Sequence, residues 1–378
     1  MGKQFSIQES KLPEAHNKLL KDFLKYVCET YNLPDHLNDF QIEQVSIGIS
    51  RSSKVFVQSA STYPYFVKIG EDKNINRENS RYGQAARKIP ALSIPPKERF
   101  LQDSESGNSL VAFRHVAVGP HTPGATSLFS KMKSLSTYEI MSVIDDLFHV
   151  VLFDFHAFRS AEYSVVELKP LDRAAFQDSS NFKLRSELAQ MLGQYDAIVR
   201  DASSRGIKMP IGQIHGDLHT ENILLGKYNN PIVIDFEMSL PHDTLVKDYA
   251  EFEVALVYAV VSSSFDESHD EIKAFYEPTY VFGVRGISKI SSALSRIRAN
   301  LYEHASDFAK SNSLPVVDFY RDLSLIYKIF LLRYFCFYSR IATLNSANTA
   351  IGYAITVLFK DLFENVQATL QVGARPSA

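Results

Sequence analysis

The pattern of apolar and polar positions divides the chain into a short strand-rich part and a long helix-rich part. Near the N-terminus, apolar residues recur at helical spacing, which predicts an amphipathic helix from about Glu9 to Tyr31. Short segments rich in β-forming residues follow, separated by turns that contain Ser, Gly and Pro. They predict an antiparallel sheet interrupted by one helix. The predicted strands are Gln41–Val45, Lys54–Gln58, Tyr65–Ile69, Phe100–Asp103 and Ser109–Arg114, and the predicted helix is Asn76–Lys88.

Beyond Gly119 the periodicity is helical. The predicted helices are Thr137–Ala157, Phe182–Ser203, Val246–Ser262, Asp266–Phe275, Ile287–Ser311, Asp318–Leu344 and Ala347–Gln371. Prolines are scarce after Pro241, as uninterrupted helices require. We therefore expect an N-terminal helical extension over residues 1–40, a sheet-rich lobe over residues 41–118 and a helical lobe over residues 119–378.

Composition narrows the class of protein. The 378 residues are 45% hydrophobic and 22% charged, which is ordinary for a globular protein with two lobes. The net charge of −3 gives no electrostatic case for nucleic acid, which would need a basic face, so we expect no nucleic-acid partner. Two cysteines and an N-terminus without a signal-peptide pattern favour a cytoplasmic location. The uncharged segment Ile341–Phe359 contains asparagines that are costly in lipid, so no membrane span is expected.

The densest cluster of candidate catalytic residues lies between Gln213 and Glu237, which reads QIHGDLHTENILLGKYNNPIVIDFE. Two apolar runs, Ile223–Leu225 and Ile232–Ile234, predict a hairpin that would return Asp235 beside Asn222. Phosphoryl transfer needs a carboxylate for the attacking hydroxyl and oxygen ligands for magnesium. This segment supplies both kinds of group.

Each polar residue fits one of these needs. Asp217 can orient a hydroxyl and accept its proton, while Asn222 and Asp235 offer an amide and a carboxylate oxygen to magnesium. A structural hairpin with chance acidic residues is the plainest alternative. A sharper alternative is a transition-metal site for hydrolysis, because His215, Asp217 and His219 would project to one side of an extended strand. The IDFE motif would have no role in such a transition-metal site.

The HGDLH motif that begins at His215, followed by Asn222 and by the IDFE motif that contains Asp235, resembles the aminoglycoside phosphotransferase and choline kinase-like family. The resemblance implies an α+β, protein-kinase-like two-lobed fold with a small antiparallel-sheet N-lobe and a large mainly helical C-lobe. It also implies transfer of the γ-phosphoryl group of ATP, with Mg²⁺, to a hydroxyl of a small molecule. In this pattern Asp217 is the catalytic base, His215 braces the loop, and Asn222 and Asp235 bind magnesium.

The family pattern also requires nucleotide-binding residues upstream. Lys68 lies on the predicted strand Tyr65–Ile69, where it would reach the α- and β-phosphates, and Glu78 would hold it through an ion pair. The alternative is a solvated lysine and a glutamate that is favoured at a helix start. The remaining predicted nucleotide-binding residues lie in a phosphate-covering loop and in the connection after the fifth strand: Gly48, Ser50, Ser52, Ser53 and His115.

Further acidic residues follow the IDFE motif. Asp248 resembles the family's buried aspartate that hydrogen-bonds the catalytic loop, although an ordinary first-turn aspartate is an equal alternative. A cationic acceptor would favour an acidic pocket, for which Asp243, Glu251 and Glu253 are candidates. Two other functions stay open: a nucleotide-binding regulatory or partner-binding module with little turnover, and a protein kinase, which the HGDLH motif disfavours.

Overall fold

The structure is a computed structural model, and it divides the chain into two compact units. The sheet unit comprises Met1–Ser127 and Ile223–Ser239, and the helical unit comprises Leu128–Asn222 and Leu240–Ala378. The residues that the structure describes are 4–5, 12–33, 40–45, 52–59, 62–114, 126–132, 134–171, 182–226, 228–263, 289–344, 356, 359–360, 362–364 and 366–370.

The sheet unit is built on a six-stranded antiparallel sheet. Its strands are β1 Gln4–Phe5, β2 Gln41–Val45, β3 Ser53–Gln58, β4 Tyr65–Glu71, β5 Lys97–Asp103 and β6 Asn108–Arg114. They are ordered β1-β2-β3-β4-β6-β5. The five predicted strands are confirmed, and the largest difference is at β5, which begins three residues before the predicted start, at Lys97 rather than Phe100.

Helix α1, Glu14–Thr30, covers one face of this sheet. Its apolar side includes Phe23, whose ring packs edge-on against Tyr65 of β4 with the centroids 5.3 Å apart. Burial of each such side chain contributes roughly 1.5–3 kcal/mol to folding. The region predicted as an N-terminal extension therefore supplies part of the hydrophobic core of the sheet unit. Alternation along the strands sends Val55 and Val67 toward α1, so their neighbours in sequence face the other side.

On that other side lies α2, Asp72–Ala85, which begins four residues before the predicted start. Tyr82 of α2 contacts Phe113 of β6 with ring centroids 4.9 Å apart. The predicted hairpin is also present, as β10 Ile223–Leu225 and β11 Pro231–Val233. A short strand, β7 Thr126–Ser127, pairs with β10, and a 3₁₀ turn over Phe236–Met238 packs against α2.

The helical unit confirms most of the predicted helices. The helices that the structure describes here are α3 Leu128–Lys131, α4 Thr137–Asp145, α5 Phe153–His156, α6 Phe182–Ser204, α7 Val246–Ser263, α8 Lys289–Ser311 and α9 Val316–Leu344. Of these, α6, α7, α8 and α9 confirm predicted helices, whereas α3 was not predicted. Helix α7 packs against both α8 and α9, α6 packs against α9, and α4 packs against α8. Of the helices predicted over residues 266–275 and 347–371, the first lies outside the described residues and the second is described in part.

Two features of the helical unit differ from the prediction. The single helix expected over Thr137–Ala157 is instead α4, a π-helical turn over Asp146–Val151, and α5, which ends where Ala157 takes a φ of 49°. A three-stranded sheet was not predicted, and it consists of β8 Glu162–Val165, β9 Lys208–Ile214 and β12 Leu240–Thr244 in the order β12-β9-β8. Strands β8 and β12 are short and partly exposed, and β9 is buried along most of its length, so none of the three has the alternation that a sequence pattern can reveal.

The predicted fold class is confirmed, with one small antiparallel-sheet unit and one larger, mainly helical unit. Residues 115–125, where the predicted boundary at Gly119 falls, lie outside the described residues, so the predicted lobe limits stay predictions. In the part of the chain that the structure describes, none of the helices has the length and apolarity needed to cross a membrane.

Candidate functional site

A buried lysine joins two carboxylates in the sheet unit. Lys68 of β4 places its Nζ 2.8 Å from Oε1 of Glu78 and 2.7 Å from Oδ1 of Asp235, and its side chain is 1% exposed. Burial lowers the pKa of the Lys68 ammonium, but the charges of Glu78 and Asp235 outweigh that effect and the pKa is raised. The ion pair predicted between Lys68 and Glu78 is present, and its solvated alternative is excluded.

A second lysine, which the sequence reasoning did not assign, contacts the same aspartate. Lys54 of β3 places its Nζ 3.2 Å from Oδ2 of Asp235. Burial alone would raise the pKa of Asp235, but the ammonium groups of Lys68 and Lys54 outweigh burial and lower it. Asp235 itself has a φ of 64°, a left-handed conformation that is uncommon for residues other than glycine. Its carboxylate is therefore ionised and held in a defined direction.

The carboxylates around Asp235 fit a divalent cation. Glu78, Asp235 and Glu237 each offer an oxygen, and these oxygens lie within 4.8 Å of one another. Oε2 of Glu78 is buried without a hydrogen-bond partner among the described residues, so it can accept a ligand. Magnesium prefers hard oxygen ligands of this kind. Glu237 is itself held by Arg77, whose Nη2 lies 3.0 Å from Oε1, and Arg81 donates to the Glu237 carbonyl.

In the helical unit, a buried aspartate fixes the backbone of the loop that carries the HGDLH motif. The amide of His215 donates to Oδ2 of Asp248 at 2.7 Å, and the amide of Gly216 donates to Oδ1 at 2.9 Å. Nε2 of His156 donates to the same carboxylate at 2.8 Å. Burial would raise the pKa of Asp248, but these hydrogen bonds and the nearby histidines lower it. The predicted hydrogen bonding of the loop by Asp248 is confirmed, and His156 is a further donor to the same carboxylate.

The backbone conformation of the loop explains why the HGDLH motif has a glycine at its second position. Gly216 has a φ of 76°, which an L-residue with a side chain adopts only with strain. This conformation directs the amides of His215 and Gly216 at the same carboxylate, Asp248.

A second acid, Glu251, also supports this loop, and the sequence analysis did not predict that role. Glu251, considered above as a candidate for an acidic acceptor pocket, accepts a hydrogen bond from the amide of Leu218 at 3.2 Å. Burial, together with the charges of Asp217 and Asp248, raises the pKa of the Glu251 carboxyl well above its usual value. It lies one helical turn after Asp248 on α7, and this spacing was a signal that both acids face the same loop.

Asp217 is accessible while its neighbours hold the loop. Its side chain is 34% exposed, which leaves the carboxylate open to a substrate. Nδ2 of Asn222 donates to the carbonyl and to Oδ2 of Asp217, at 2.9 and 3.2 Å. This orientation leaves the amide oxygen of Asn222 as the atom that can bind a cation. Asn222 and Asp235 belong to different units, so their predicted convergence on one magnesium ion stays a prediction.

The transition-metal alternative at the loop is not supported. Among the residues that the structure describes, the ligand-forming group is the one at Asp235, and His215, Asp217 and His219 do not form another. The side chain of His215 is fully buried, whereas Nε2 of His219 lies 3.6 Å from Asp217.

Several predicted nucleotide-binding residues cannot be placed. Gly48, Ser50 and His115 lie outside the described residues. Ser52 and Ser53 are buried, and the hydroxyl of Ser53 forms a hydrogen bond of 2.8 Å with Nδ1 of His16 on α1. Because alternation puts Ser53 and Lys54 on opposite faces of β3, the Ser53 hydroxyl faces α1 rather than Lys68. The phosphate contacts predicted for both serines stay predictions.

The other carboxylates considered for a cationic acceptor have partners within the helical unit. Glu253 is buried and accepts two hydrogen bonds from Arg298, at 2.6 and 3.0 Å, and one from Tyr327 at 2.5 Å. Asp243 accepts a hydrogen bond from Lys247. A bidentate buried pair of this kind stabilises helix packing, so Glu253 is not a group that awaits a ligand.

A family model described as "Phosphotransferase enzyme family" matches residues 41–246, which is more than half of the 378-residue chain. The matched range contains the upstream lysine Lys68 and the entire segment from His215 to Asp235. The match confirms the family resemblance predicted from the HGDLH and IDFE motifs. No curated protein sequence matches the chain.

Several solved kinase structures are similar to this chain at low identity. An amicoumacin kinase in complex with AMP-PNP and Ca²⁺ is 10% identical, with a TM-score of 0.49, over 91% of this chain and 93% of that one. An aminoglycoside phosphotransferase in complex with ADP and hygromycin B is 10% identical, with a TM-score of 0.44, over 93% and 98%. An ethanolamine kinase of Plasmodium vivax is 12% identical, with a TM-score of 0.44, over 96% and 93%. Likeness at this level carries no information about the ligands of this chain.

Proposed function

The chain belongs to the phosphotransferase enzyme family, and on that premise we propose that it transfers the γ-phosphoryl group of ATP to a hydroxyl group of a small molecule. The observation that carries the proposal is the buried Lys68, which is held between Glu78 and Asp235. Burying a lysine and two carboxylates is costly unless their charges are paired, and such arrangements concentrate at functional sites.

The residues of the sheet unit would handle the donor nucleotide. Lys68, held in place by Glu78, would contribute positive charge to the α- and β-phosphates. Asp235 and the oxygens around it would hold magnesium, which, when bound, neutralises charge that develops on the transferred group. Asn222 of the helical unit would contribute its amide oxygen to the same ion.

The helical unit would handle the acceptor. Asp217 would accept a hydrogen bond from the acceptor hydroxyl, orient its oxygen toward the γ-phosphorus and take its proton. The bond between that oxygen and phosphorus forms, the bond from phosphorus to the bridging oxygen breaks, and ADP leaves with the electron pair. Asp248 and Glu251 keep the loop in the conformation that presents Asp217, since they accept hydrogen bonds from the amides on either side of it.

A module with little turnover and a protein kinase are the less favoured candidates. The sequence contains Asp217, the proposed base, in addition to Lys68 and Asp235, and a module that only binds nucleotide would not need that base. A family of phosphotransferases with the HGDLH motif also argues for a small-molecule acceptor rather than a protein.

The test is ATP-dependent phosphoryl transfer by Asp217→Asn and Asp235→Asn, measured as ADP release with a panel of hydroxylated metabolites and antibiotics. Each substitution should lower kcat by about 10²–10⁴-fold because a proton acceptor or a metal ligand is lost. Asp217→Asn should still bind magnesium–ATP in calorimetry, whereas Asp235→Asn should not. Asp201→Asn, on the exposed side of α6, is the matched control and should behave as wild type. A wild-type protein that does not bind magnesium–ATP would contradict the proposal.

A further inference from the structure

Two lysines approach Asp235 from neighbouring strands of the same sheet. Lys54 of β3 and Lys68 of β4 are direct partners in the antiparallel register, so their side chains leave the sheet on the same face. Like charges directly opposite one another in a sheet are destabilising. A chain that places two ammonium groups here therefore needs negative charge between them, and Asp235 supplies it.

The two lysines are held differently. Lys68 is 1% exposed and is bound by Glu78 as well as by Asp235. Lys54 is 20% exposed, and its ammonium lies 3.2 Å from the other oxygen of Asp235, Oδ2. Lys68 is thus fixed between two carboxylates. Lys54 has a flexible four-carbon stem that reaches solvent, and among the residues that the structure describes its ion-pair partner is Asp235.

A cation that binds Asp235 through Oδ2 meets the ammonium of Lys54 at that oxygen. The two positive charges repel each other at that oxygen, so binding of one weakens binding of the other. The nearest new negative charge, under the proposed function, is the phosphate chain of the nucleotide that arrives with the metal.

We propose that Lys54 is a second phosphate-binding lysine, which occupies the metal-binding oxygen of Asp235 until a metal–nucleotide complex displaces it onto the phosphates. The inference rests on the proposed function, because it takes the ligand to be a magnesium-bound nucleoside triphosphate. It assigns Lys54 two effects of opposite sign. The lysine weakens binding of a bare divalent cation and strengthens binding of the metal–nucleotide complex.

The experiment compares the wild-type protein with Lys54→Met, Lys54→Arg and the control Lys97→Met by calorimetry. Methionine keeps a long unbranched stem and removes the charge, and Lys97 is an exposed lysine of the same sheet that contacts Asn79. Two probes are titrated separately: Mn²⁺ alone and magnesium–AMP-PNP. Lys54→Met should bind magnesium–AMP-PNP about tenfold more weakly, since a charge-assisted hydrogen bond is lost, and Mn²⁺ more tightly. Lys54→Arg should resemble wild type in the nucleotide titration, and Lys97→Met in both.

Opposite changes in the affinities for Mn²⁺ and for magnesium–AMP-PNP distinguish the proposal from a purely structural role of Lys54. If Lys54→Met binds both probes more weakly, Lys54 supports the site without competing for Asp235, and the inference is wrong. Unchanged nucleotide affinity in Lys54→Met would overturn it equally. A wild-type protein that binds Mn²⁺ but not magnesium–AMP-PNP would instead overturn the proposed function. In that case Lys54 would have no phosphate-binding role either. The Mn²⁺ titration would still show whether Lys54 competes with a divalent cation for Asp235.

Discussion

The two units prepare their functional residues in different ways. In the sheet unit, Asp235 is held by the charged side chains of Lys54 and Lys68, so charge is balanced by charge. In the helical unit, the loop that carries Asp217 is held through its backbone amides, which donate to buried acids of α7. One partner of an ion pair can be replaced by a ligand that carries the same charge, whereas a backbone amide is part of the chain and cannot be replaced by a ligand. The first arrangement suits a group that changes partners, and the second suits a group that must keep one position.

The comparison gives different energetic expectations for the two units. Removing a buried acceptor leaves several amides without a partner. The desolvation of each of these amides is then no longer offset by a hydrogen bond, and the folded state is destabilised by the full desolvation penalty. Removing one member of a partly exposed ion pair leaves a charge that water can reach, which costs far less. Substitutions in the helical unit should therefore cost more stability than those at the rim of the sheet unit.

The largest effect is expected for Asp248→Ala. The substitution leaves the amides of His215 and Gly216 and the imidazole of His156 without their common acceptor. Loss of one partner from a buried charged network costs about 3–5 kcal/mol, which denaturant unfolding measures directly. Asp201→Ala, exposed on α6, is the control and should cost less than about 0.5 kcal/mol.

The same substitution has a pH signature with a defined sign. Because the pKa of Asp248 is lowered in the folded protein, its contribution to stability is present above the pKa of an unfolded carboxyl group. That contribution is lost as the pH falls through the lowered pKa. The stability difference between wild type and Asp248→Ala should therefore shrink in acid. A difference that is constant with pH would show that the ionised carboxylate is not what holds the loop.

Sequence reasoning located Asp248 but not the number of groups it serves. The HGDLH motif and the aspartate that follows IDFE are local patterns, and their chemistry can be inferred from residue types and spacing. The donor His156 comes from a helix far away in the sequence, where a π-helical turn and the left-handed Ala157 set its direction. Departures of the backbone from regular geometry follow from tertiary packing, and a periodic pattern does not encode them.

A second, smaller effect distinguishes the two acids of α7. Glu251 accepts a hydrogen bond from the Leu218 amide and its pKa is raised by burial, so Glu251→Gln keeps an acceptor oxygen of the same shape. We expect Glu251→Gln to change stability by less than about 1 kcal/mol and to retain turnover. Glu251→Leu leaves the amide unpaired and should cost about 1–3 kcal/mol, with a fall in kcat and little change in KM for ATP. Equal losses in the two variants would indicate that the charge of Glu251, rather than its acceptor oxygen, supports the loop.

In the sheet unit, the strand pattern predicted every main strand and placed Lys68 correctly. It did not assign a role to Lys54, although both lysines lie in predicted strands. Register between two strands is set by side-chain packing and turn geometry, and neither is readable from one strand alone. The same limit applied to α1, whose apolar side was evident but whose partner, the back of the sheet, became visible only in the structure.

The smallest effect is expected for Arg77→Met, at the rim of the sheet unit. Arg77 is 38% exposed, and its ion pair with Glu237 lies 3.0 Å from nitrogen to oxygen. A partly exposed pair of this kind contributes at most about 1 kcal/mol, and salt screens it, so the loss should be smaller still in 1 M NaCl. Unfolding by urea at low and high salt measures both quantities. Methionine retains the apolar contact of the arginine stem, and Arg81 continues to donate to the Glu237 carbonyl, so the turn over Phe236–Met238 should stay in place. A cost above about 2 kcal/mol would mean that the carboxylates of the sheet unit depend on fixed partners as strongly as the loop of the helical unit does, and the contrast between exchangeable charge and fixed backbone would fail.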